Sequence, residues 1–153
     1  MAIDLRGMVP LLLVHDMPAS VALYRDVLGF EVVSASGPDY EPGWALLHRG
    51  GTELMLNGRY QPGEAPVERD PAKMAAHGET ALYFGCPDLD GAYRHFRDHG
   101  IELREPAMTG YGFRSISLTD PDGYTLIFQW PETPEARAEW ARRYASDSAP
   151  ESA

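Results

Sequence analysis

The chain has 153 residues, of which 44% are hydrophobic and 24% are charged, so its composition is that of a globular protein. Thirteen basic and twenty-three acidic residues leave a formal charge of −10, which disfavours nucleic acid and anionic lipid as partners because basic surfaces bind both. The single cysteine, Cys86, excludes an intrachain disulfide and favours a cytoplasmic location, and no apolar run approaches the ~20 residues that span a bilayer.

The first elements in chain order are a short apolar strand and a helix, and both occur again 72 positions later. The segment VHDMPASVALYRDVLGFEVV (14–33) aligns with CPDLDGAYRHFRDHGIEL (86–103). Asp16 and Asp88 stand where each helix begins, and their carboxylates can cap free backbone N–H groups. Gly29 and Gly100 are predicted to end the two helices, because glycine adopts a positive φ without steric cost.

A strand and a β-hairpin are predicted to follow each helix. The strands are FEVVSA (30–35) and IELRE (101–105). The first hairpin, 44–56, is predicted to turn at 50–51, and the second, 113–130, at the D-P-D-G sequence 120–123. In that second turn Pro121 fixes φ and Gly123 permits a positive φ. The sequence therefore predicts an α+β fold of two tandem β-α-β-β-β units.

The repeat also predicts how the chain is divided. Residues 1–57 form the first unit and residues 80–130 the second, with a linker loop at 58–79 that has no clear periodicity. Thr133 as N-cap and Pro134 at the first helical position predict a C-terminal helix over 131–146. Residues 147–153 are predicted to form a flexible tail.

The doubled unit, the motif D-x-x-x-S-x-x-x-Y-x-x-x-L-G-F (16–30) and D-P-D-G (120–123) together resemble the vicinal oxygen chelate superfamily over residues 8 to about 130. That group contains glyoxalases, extradiol dioxygenases, fosfomycin-resistance enzymes and bleomycin-resistance binding proteins. The resemblance implies that the two units wrap into an incomplete barrel around a pocket. Because this fold carries many chemistries, the function has to be argued from the site residues.

The resemblance also implies where a metal would bind, since metal-dependent members draw His and Glu ligands from the first and last strands of the units. In this chain the corresponding positions are all apolar: Val9, Met55, Ala81 and Ile127. Carbon atoms offer no lone pair, and a methionine thioether is too soft for the usual metals of this fold. We therefore expect no metal and no other cofactor.

The pocket-facing side chains follow from strand alternation, because residues two positions apart share one face of a strand. The predicted wall combines apolar, amide, hydroxyl, phenol and carboxylate groups, which suits a small organic ligand. Its members are Leu11, Glu53, Met55, Asn57, Tyr83, Thr125, Ile127 and Gln129. Three aromatic residues either stack against a ligand or fill the core: Trp44, Tyr111 and Phe113.

Other chemically active side chains have two interpretations each. Arg114 pairs either with an acidic ligand group or with a neighbouring carboxylate. His48 is either a pocket-facing general base or a structural histidine. His95 and His99 have the i, i+4 spacing of a metal clamp, but the resemblance puts their helix outside the barrel.

Three functions compete at this level, and a metal-free binding protein for an amphipathic, cationic small molecule ranks first. Six acidic residues between 39 and 70 outnumber three arginines and favour a cation: Asp39, Glu41, Glu53, Glu64, Glu68 and Asp70. A homodimer is implied by the resemblance. The second function is a metal-independent isomerase or lyase, with Glu53 as base and Tyr83 or Arg114 as oxyanion partner. The third is a scaffold with a vestigial pocket.

Overall fold

The structure is a computed structural model that describes residues 2–37, 43–61 and 63–145. The chain divides into two compact units, one of Met1–Glu79 with Thr119–Tyr124 and one of Thr80–Leu118 with Thr125–Ala153. The predicted tail at 147–153 lies outside the described residues, as do Asp39 and Glu41 of the acidic set. No helix in the described ranges is long and apolar enough to cross a membrane.

A four-stranded sheet with strand order β1-β4-β3-β2 forms the first unit. Its strands are β1 (Leu11–Val14), β2 (Glu31–Ser36), β3 (Trp44–Arg49) and β4 (Thr52–Gly58). Strand β1 runs parallel to β4, whereas β4–β3 and β3–β2 are antiparallel pairs. The predicted hairpin turn is confirmed, with Gly50 at a φ of 56°.

One face of this sheet packs against the first helix and forms the core of the unit. Helix α1 (Met17–Val21) begins at the predicted cap, where the Asp16 carboxylate accepts from the Ala19 N–H at 3.1 Å. It continues as a π-helical segment (Ala22–Val27), which the sequence did not predict, and the chain turns at Gly29 with a φ of 79°. The buried residues of this core are Leu12, Val14, Ala45, Leu47, Leu54 and Leu56 of the sheet and Tyr24 of the π-helical segment.

The segment predicted as a linker loop contains a helix that the sequence analysis missed, α2 (Pro71–His77). Its N-cap is Asp70, whose carboxylate accepts from the Ala72 N–H at 3.0 Å, and Pro71 occupies the first helical position. Both residues are recognised helix-start signals. Seven residues are too few to show an apolar period, so the sequence pattern did not predict this helix.

The second unit repeats the arrangement with strand order β5-β8-β7-β6. Its strands are β5 (Ala81–Gly85), β6 (Ala107–Met108), β7 (Phe113–Thr119) and β8 (Thr125–Pro131), and its first helix is α3 (Leu89–Asp98). The Asp88 cap and the turn at Gly100, with a φ of 76°, are confirmed. The two tandem β-α-β-β-β units and the α+β class are therefore as predicted.

One predicted strand of the second unit is wrong. The sequence IELRE at 101–105 is not a strand, and the short strand β6 begins at Ala107. The N–H of Ile101 donates to the Phe96 carbonyl at 3.0 Å, so this residue still belongs to the end of α3. The last helix, α4 (Pro134–Tyr144), is confirmed, with Thr133 accepting from the Ala136 N–H at 3.2 Å.

The D-P-D-G turn joins β7 to β8, yet residues 119–124 belong to the first unit. Gly123 has the predicted positive φ, at 92°. A Cβ at this position would collide with the carbonyl oxygen of Met74 in α2, so glycine is required for packing as well as for backbone conformation.

Candidate functional site

The face of the first sheet that does not pack against α1 carries the predicted site residues of this unit. Leu11 lies opposite Met55, and Trp44 lies opposite Asn57, so these four side chains share one face. Leu11 is 46% exposed, whereas Leu12, on the opposite face, is 2% exposed. We call this surface the open face of the first sheet.

A cleft of about 480 Å³ lies at one end of this open face. Its lining comes from the N-terminal segment and the β3–β4 hairpin and consists of Arg6, Gly7, Met8, Val9, His48, Gly51 and Glu53. His48 lies directly opposite Glu53 in the hairpin and opposite Glu31 on the edge strand β2. The structure thus assigns His48 to the open face, with a glutamate on each neighbouring strand.

The corresponding face of the second sheet brings together five more of the predicted residues. Tyr83 lies opposite Ile127, and Thr125 lies opposite Ala81. The Tyr111 hydroxyl donates to Gln129 Oε1 at 3.2 Å. Tyr83 and Tyr111 are each 57% exposed, so their phenol groups are accessible to a ligand.

Phe113 and Arg114 have partners within the second unit. Phe113 is buried, with ring centroids 5.5 Å from Tyr111 and 6.0 Å from Trp140 of α4, so it belongs to an aromatic cluster. Arg114 donates two hydrogen bonds to the Asp90 carboxylate of α3, at 2.7 and 2.9 Å. This pairing lowers the pKa of Asp90 and matches the neighbouring-carboxylate interpretation of Arg114.

A buried hydrogen-bond network in the first unit was not predicted from the sequence. The Tyr24 hydroxyl donates to Asp120 Oδ2 at 2.8 Å, and Asp120 Oδ1 accepts from the N–H groups of Asp122 and Tyr124, both at 2.9 Å. Burial raises the pKa of Asp120, and burial together with the Asp120 charge raises the pKa of Tyr24. Tyr24 and Asp120 are 96 positions apart, and no local pattern relates them.

The residues at the four positions where the resemblance implies metal ligands do not fit a divalent ion. Met55 and Ile127 lie in the middle of their strands, Ala81 begins β5, and Val9 lines the cleft. None of the four offers a nitrogen or oxygen side-chain donor at the distance of about 2 Å that such an ion needs. Within the described ranges, no three His, Cys, Asp or Glu side chains are grouped so that they could hold a metal.

Comparison with models of protein families shows which family this chain belongs to. The model of the Glyoxalase/Bleomycin resistance protein/Dioxygenase superfamily matches residues 8–128 of this chain. The chain belongs to this superfamily. The match spans both β-α-β-β-β units and ends within β8, so α4 lies beyond it.

Solved structures of this superfamily's fold align with most of the chain. The bleomycin-binding protein in complex with bleomycin is 24% identical, with a TM-score of 0.59, and the alignment covers 84% of this chain and 100% of that one. TnmS3, an antibiotic binding protein from Streptomyces sp. CB03234, is 22% identical, with a TM-score of 0.59 and coverages of 86% and 99%.

A glyoxalase/bleomycin resistance protein/dioxygenase from Nocardioides is 23% identical, with a TM-score of 0.64 and coverages of 87% and 88%. These identities establish a shared fold and nothing finer. No curated protein sequence matched the chain.

Proposed function

We propose that this chain is a metal-independent protein that binds a small organic molecule on the open face of the first sheet. The observation that carries the proposal is the apolar character of the positions where metal-dependent relatives place their ligands. Met55 and Val9 present only carbon and thioether atoms there, and Leu11 extends the apolar surface. Asn57 and Glu53 add hydrogen-bonding groups, a combination typical of sites that recognise ligands by shape and a few polar contacts.

The ligand is inferred to be amphipathic and cationic. Leu11 and Met55 give it an apolar surface, whereas Glu31 and Glu53 flank His48 at one end of the face. Arg6, which also lines the cleft, is paired with Asp4, and Arg49 of β3 does not neutralise these carboxylates. Its guanidinium lies 3.5 Å from the Cβ position of Gly29, and it alternates with His48 to the other face of β3.

Binding can be tested by calorimetric titration with metal-free bleomycin, the ligand named for one structural relative. We expect one saturable site, and we expect Glu53→Gln to weaken it by about tenfold if one charge-assisted contact is lost. Glu102→Gln, which removes an exposed carboxylate from the second unit, serves as the control. The absence of saturable heat would exclude the antibiotic version of the proposal.

Metal independence has a separate test that uses no ligand. The purified protein is analysed for zinc, iron, nickel and manganese by elemental mass spectrometry, and by native mass spectrometry for a retained small molecule. We expect well under one equivalent of metal per protein chain. We also expect the native mass to exceed that of the chain by the mass of a bound organic compound. One equivalent of metal, resistant to brief chelator treatment, would refute metal independence.

We also propose that the protein is a homodimer. The support is apolar surface in the first unit: all six residues of the edge strand β2 are exposed, and Val33 is 53% exposed. Ile3 and Leu5 are each 76% exposed in the N-terminal segment. Exposed apolar groups beside an unpaired strand edge favour association. Sedimentation velocity distinguishes a dimer from a monomer of 16.9 kDa.

A second candidate function is a metal-independent isomerase or lyase. The observation that favours it is the cross-strand pair of Glu53 and His48 in the cleft, since two proton-transfer groups opposite each other suit acid–base chemistry beside a carbonyl. The two predicted oxyanion partners give this candidate less support. Tyr83 lies in the second unit, whereas Glu53 lies in the first, and Arg114 is already paired with Asp90.

The enzyme hypothesis predicts that the protein exchanges the α-hydrogens of small aldehydes and ketones with deuterated solvent. Exchange is followed by proton NMR, and Glu53→Gln should lower its rate by about a hundredfold or more if Glu53 is the base. Equal exchange rates for Glu53→Gln and for the Glu102→Gln control would remove Glu53 from this role.

A further inference from the structure

Three cationic side chains of the first unit line one narrow cleft beside α2: Arg59, Arg69 and Lys73. The rest of the wall includes His15, Tyr60 and His77. These residues are distinct from those of the open face. Because like charges that share a cleft repel one another, this grouping requires compensating negative charge.

The two carboxylates of the wall, Asp70 and Asp122, offset only part of the three positive charges, and their hydrogen bonds go to other groups. The two Asp122 oxygens accept from the His15 N–H at 2.8 Å and the Ser20 hydroxyl at 3.2 Å. Asp70 accepts from the Ala72 N–H at 3.0 Å as the cap of α2. Among the residues that the structure describes, none of the three cations forms an ion pair.

His77 orients Arg59 toward the cleft. A backbone carbonyl only accepts, so the 2.8 Å contact between His77 Nδ1 and the Asp122 oxygen puts the hydrogen on Nδ1. Nε2 then carries a lone pair and accepts from Arg59 Nη2 at 3.3 Å. The imidazole ring is also stacked on Tyr124, with centroids 4.2 Å apart and planes 8° apart. The His77 ring is held by Asp122 and Tyr124, and it in turn fixes the position of the Nη2 group of Arg59.

Arg69 provides an independent indication of a missing partner. Its Nε is buried and has no hydrogen-bond acceptor within the described part of the chain. Folded proteins leave few buried donors unpaired, and a charged donor is the most costly kind to leave so. An anion in the cleft would satisfy this N–H and also neutralise the repulsion among the cations.

We propose that the mouth of this cleft binds a small oxyanion, a phosphate or carboxylate group, through Arg59, Arg69 and Lys73; the interior, of about 10 Å³, has room for about one ligand oxygen. Guanidinium groups present planar pairs of N–H donors that match either oxyanion, and the lysine adds a mobile point charge. The site is a second binding site in the first unit, and it does not depend on the ligand of the open face.

The test is calorimetric titration with inorganic phosphate and, separately, with acetate, at constant ionic strength. At least one of the two should bind saturably, and the comparison identifies which oxyanion chemistry the cleft prefers. Arg69→Gln should weaken binding by about tenfold, because one charge-assisted contact is lost. Lys73→Gln should weaken it in the same direction, and this exposed position leaves folding intact.

The control is Arg104→Gln, which removes one exposed positive charge from the second unit and should leave the affinity unchanged. Saturable binding that Arg69→Gln and Lys73→Gln weaken and Arg104→Gln does not would support the site. Failure of both phosphate and acetate to bind would overturn it. Equal weakening by Arg104→Gln would also overturn it, because the effect would then reflect net charge alone.

Discussion

Individual residues that cap and end helices were predictable from the sequence, because their partners are local. The carboxylates of Asp16 and Asp88 each accept from an N–H three residues ahead. His48 and Glu53 also meet across a turn that the sequence predicted, so their pairing is a consequence of the hairpin register. The Tyr24–Asp120 bond was not predictable, since 96 positions separate the two residues.

Tyr24 tests the importance of that long-range bond. Tyr24→Phe introduces the residue type found at the equivalent repeat position, Phe96, and leaves the buried Asp120 carboxylate with one donor fewer. We expect the free energy of unfolding to fall by about 1–3 kcal/mol in urea titrations. In the matched change Tyr93→Phe, the lost partner is an exposed Arg97 bond, and the loss should stay below about 0.5 kcal/mol. Equal losses would show that the buried bond contributes nothing special.

Asp120 also predicts a pH dependence. Burial raises its pKa in the folded protein above the ordinary aspartate value of 3.8. Between those two values the folded state binds more protons than the unfolded state, so this residue's contribution to stability decreases as the pH rises. The unfolding free energy of the wild type, measured relative to that of Asp120→Asn, should therefore decrease as the pH increases above 3.8. A difference that stays constant with pH would contradict the assignment.

At the scale of elements, the two helix–strand repeats were predictable, whereas short or irregular elements were not. The π-helical segment after α1 and the seven-residue α2 lack the periodicity by which longer helices are recognised. The strand predicted at IELRE is absent, although the equivalent segment of the first unit forms β2 after the same helix-ending bond, so no local signal distinguishes the two. Apolar alternation located the exposed faces of both sheets, but it did not reveal that Arg114 is paired with α3.

The two hairpin turns offer a matched pair of glycine substitutions. Gly123→Ala places a Cβ against the Met74 carbonyl at a φ of 92°, and we expect a loss of about 2 kcal/mol or more. Gly51, its repeat partner, has open space around the corresponding Cβ position, so Gly51→Ala should change stability by less than about 0.5 kcal/mol. Guanidinium titrations of both variants provide the comparison. Similar stabilities would mean that α2 moves away from the turn at little cost.

For the whole molecule, we expect the net charge to influence stability more than the individual ion pairs do. All four ion pairs found among the described residues involve side chains that are at least partly exposed, and such pairs stabilise little. The formal charge of −10 means that the acidic side chains on the surface repel one another, which destabilises the folded state. Raising NaCl from about 10 mM to about 150 mM shortens the screening length and should raise the melting temperature at pH 7. The rise should vanish at pH 4.8, near the isoelectric point. A falling melting temperature would show that ion pairs dominate.

The assignment of residues 119–124 to the first unit has a consequence for dissecting the protein. A gene fragment that stops at Glu79 would encode every strand of the first sheet but would omit the acceptors of Tyr24 and Ser20. Such a half-length polypeptide would bury two hydroxyl groups without partners, and we expect it to aggregate or remain unfolded when expressed alone. Although the sequence is a tandem duplication, we expect that the first copy cannot fold alone, since it borrows a loop encoded within the second.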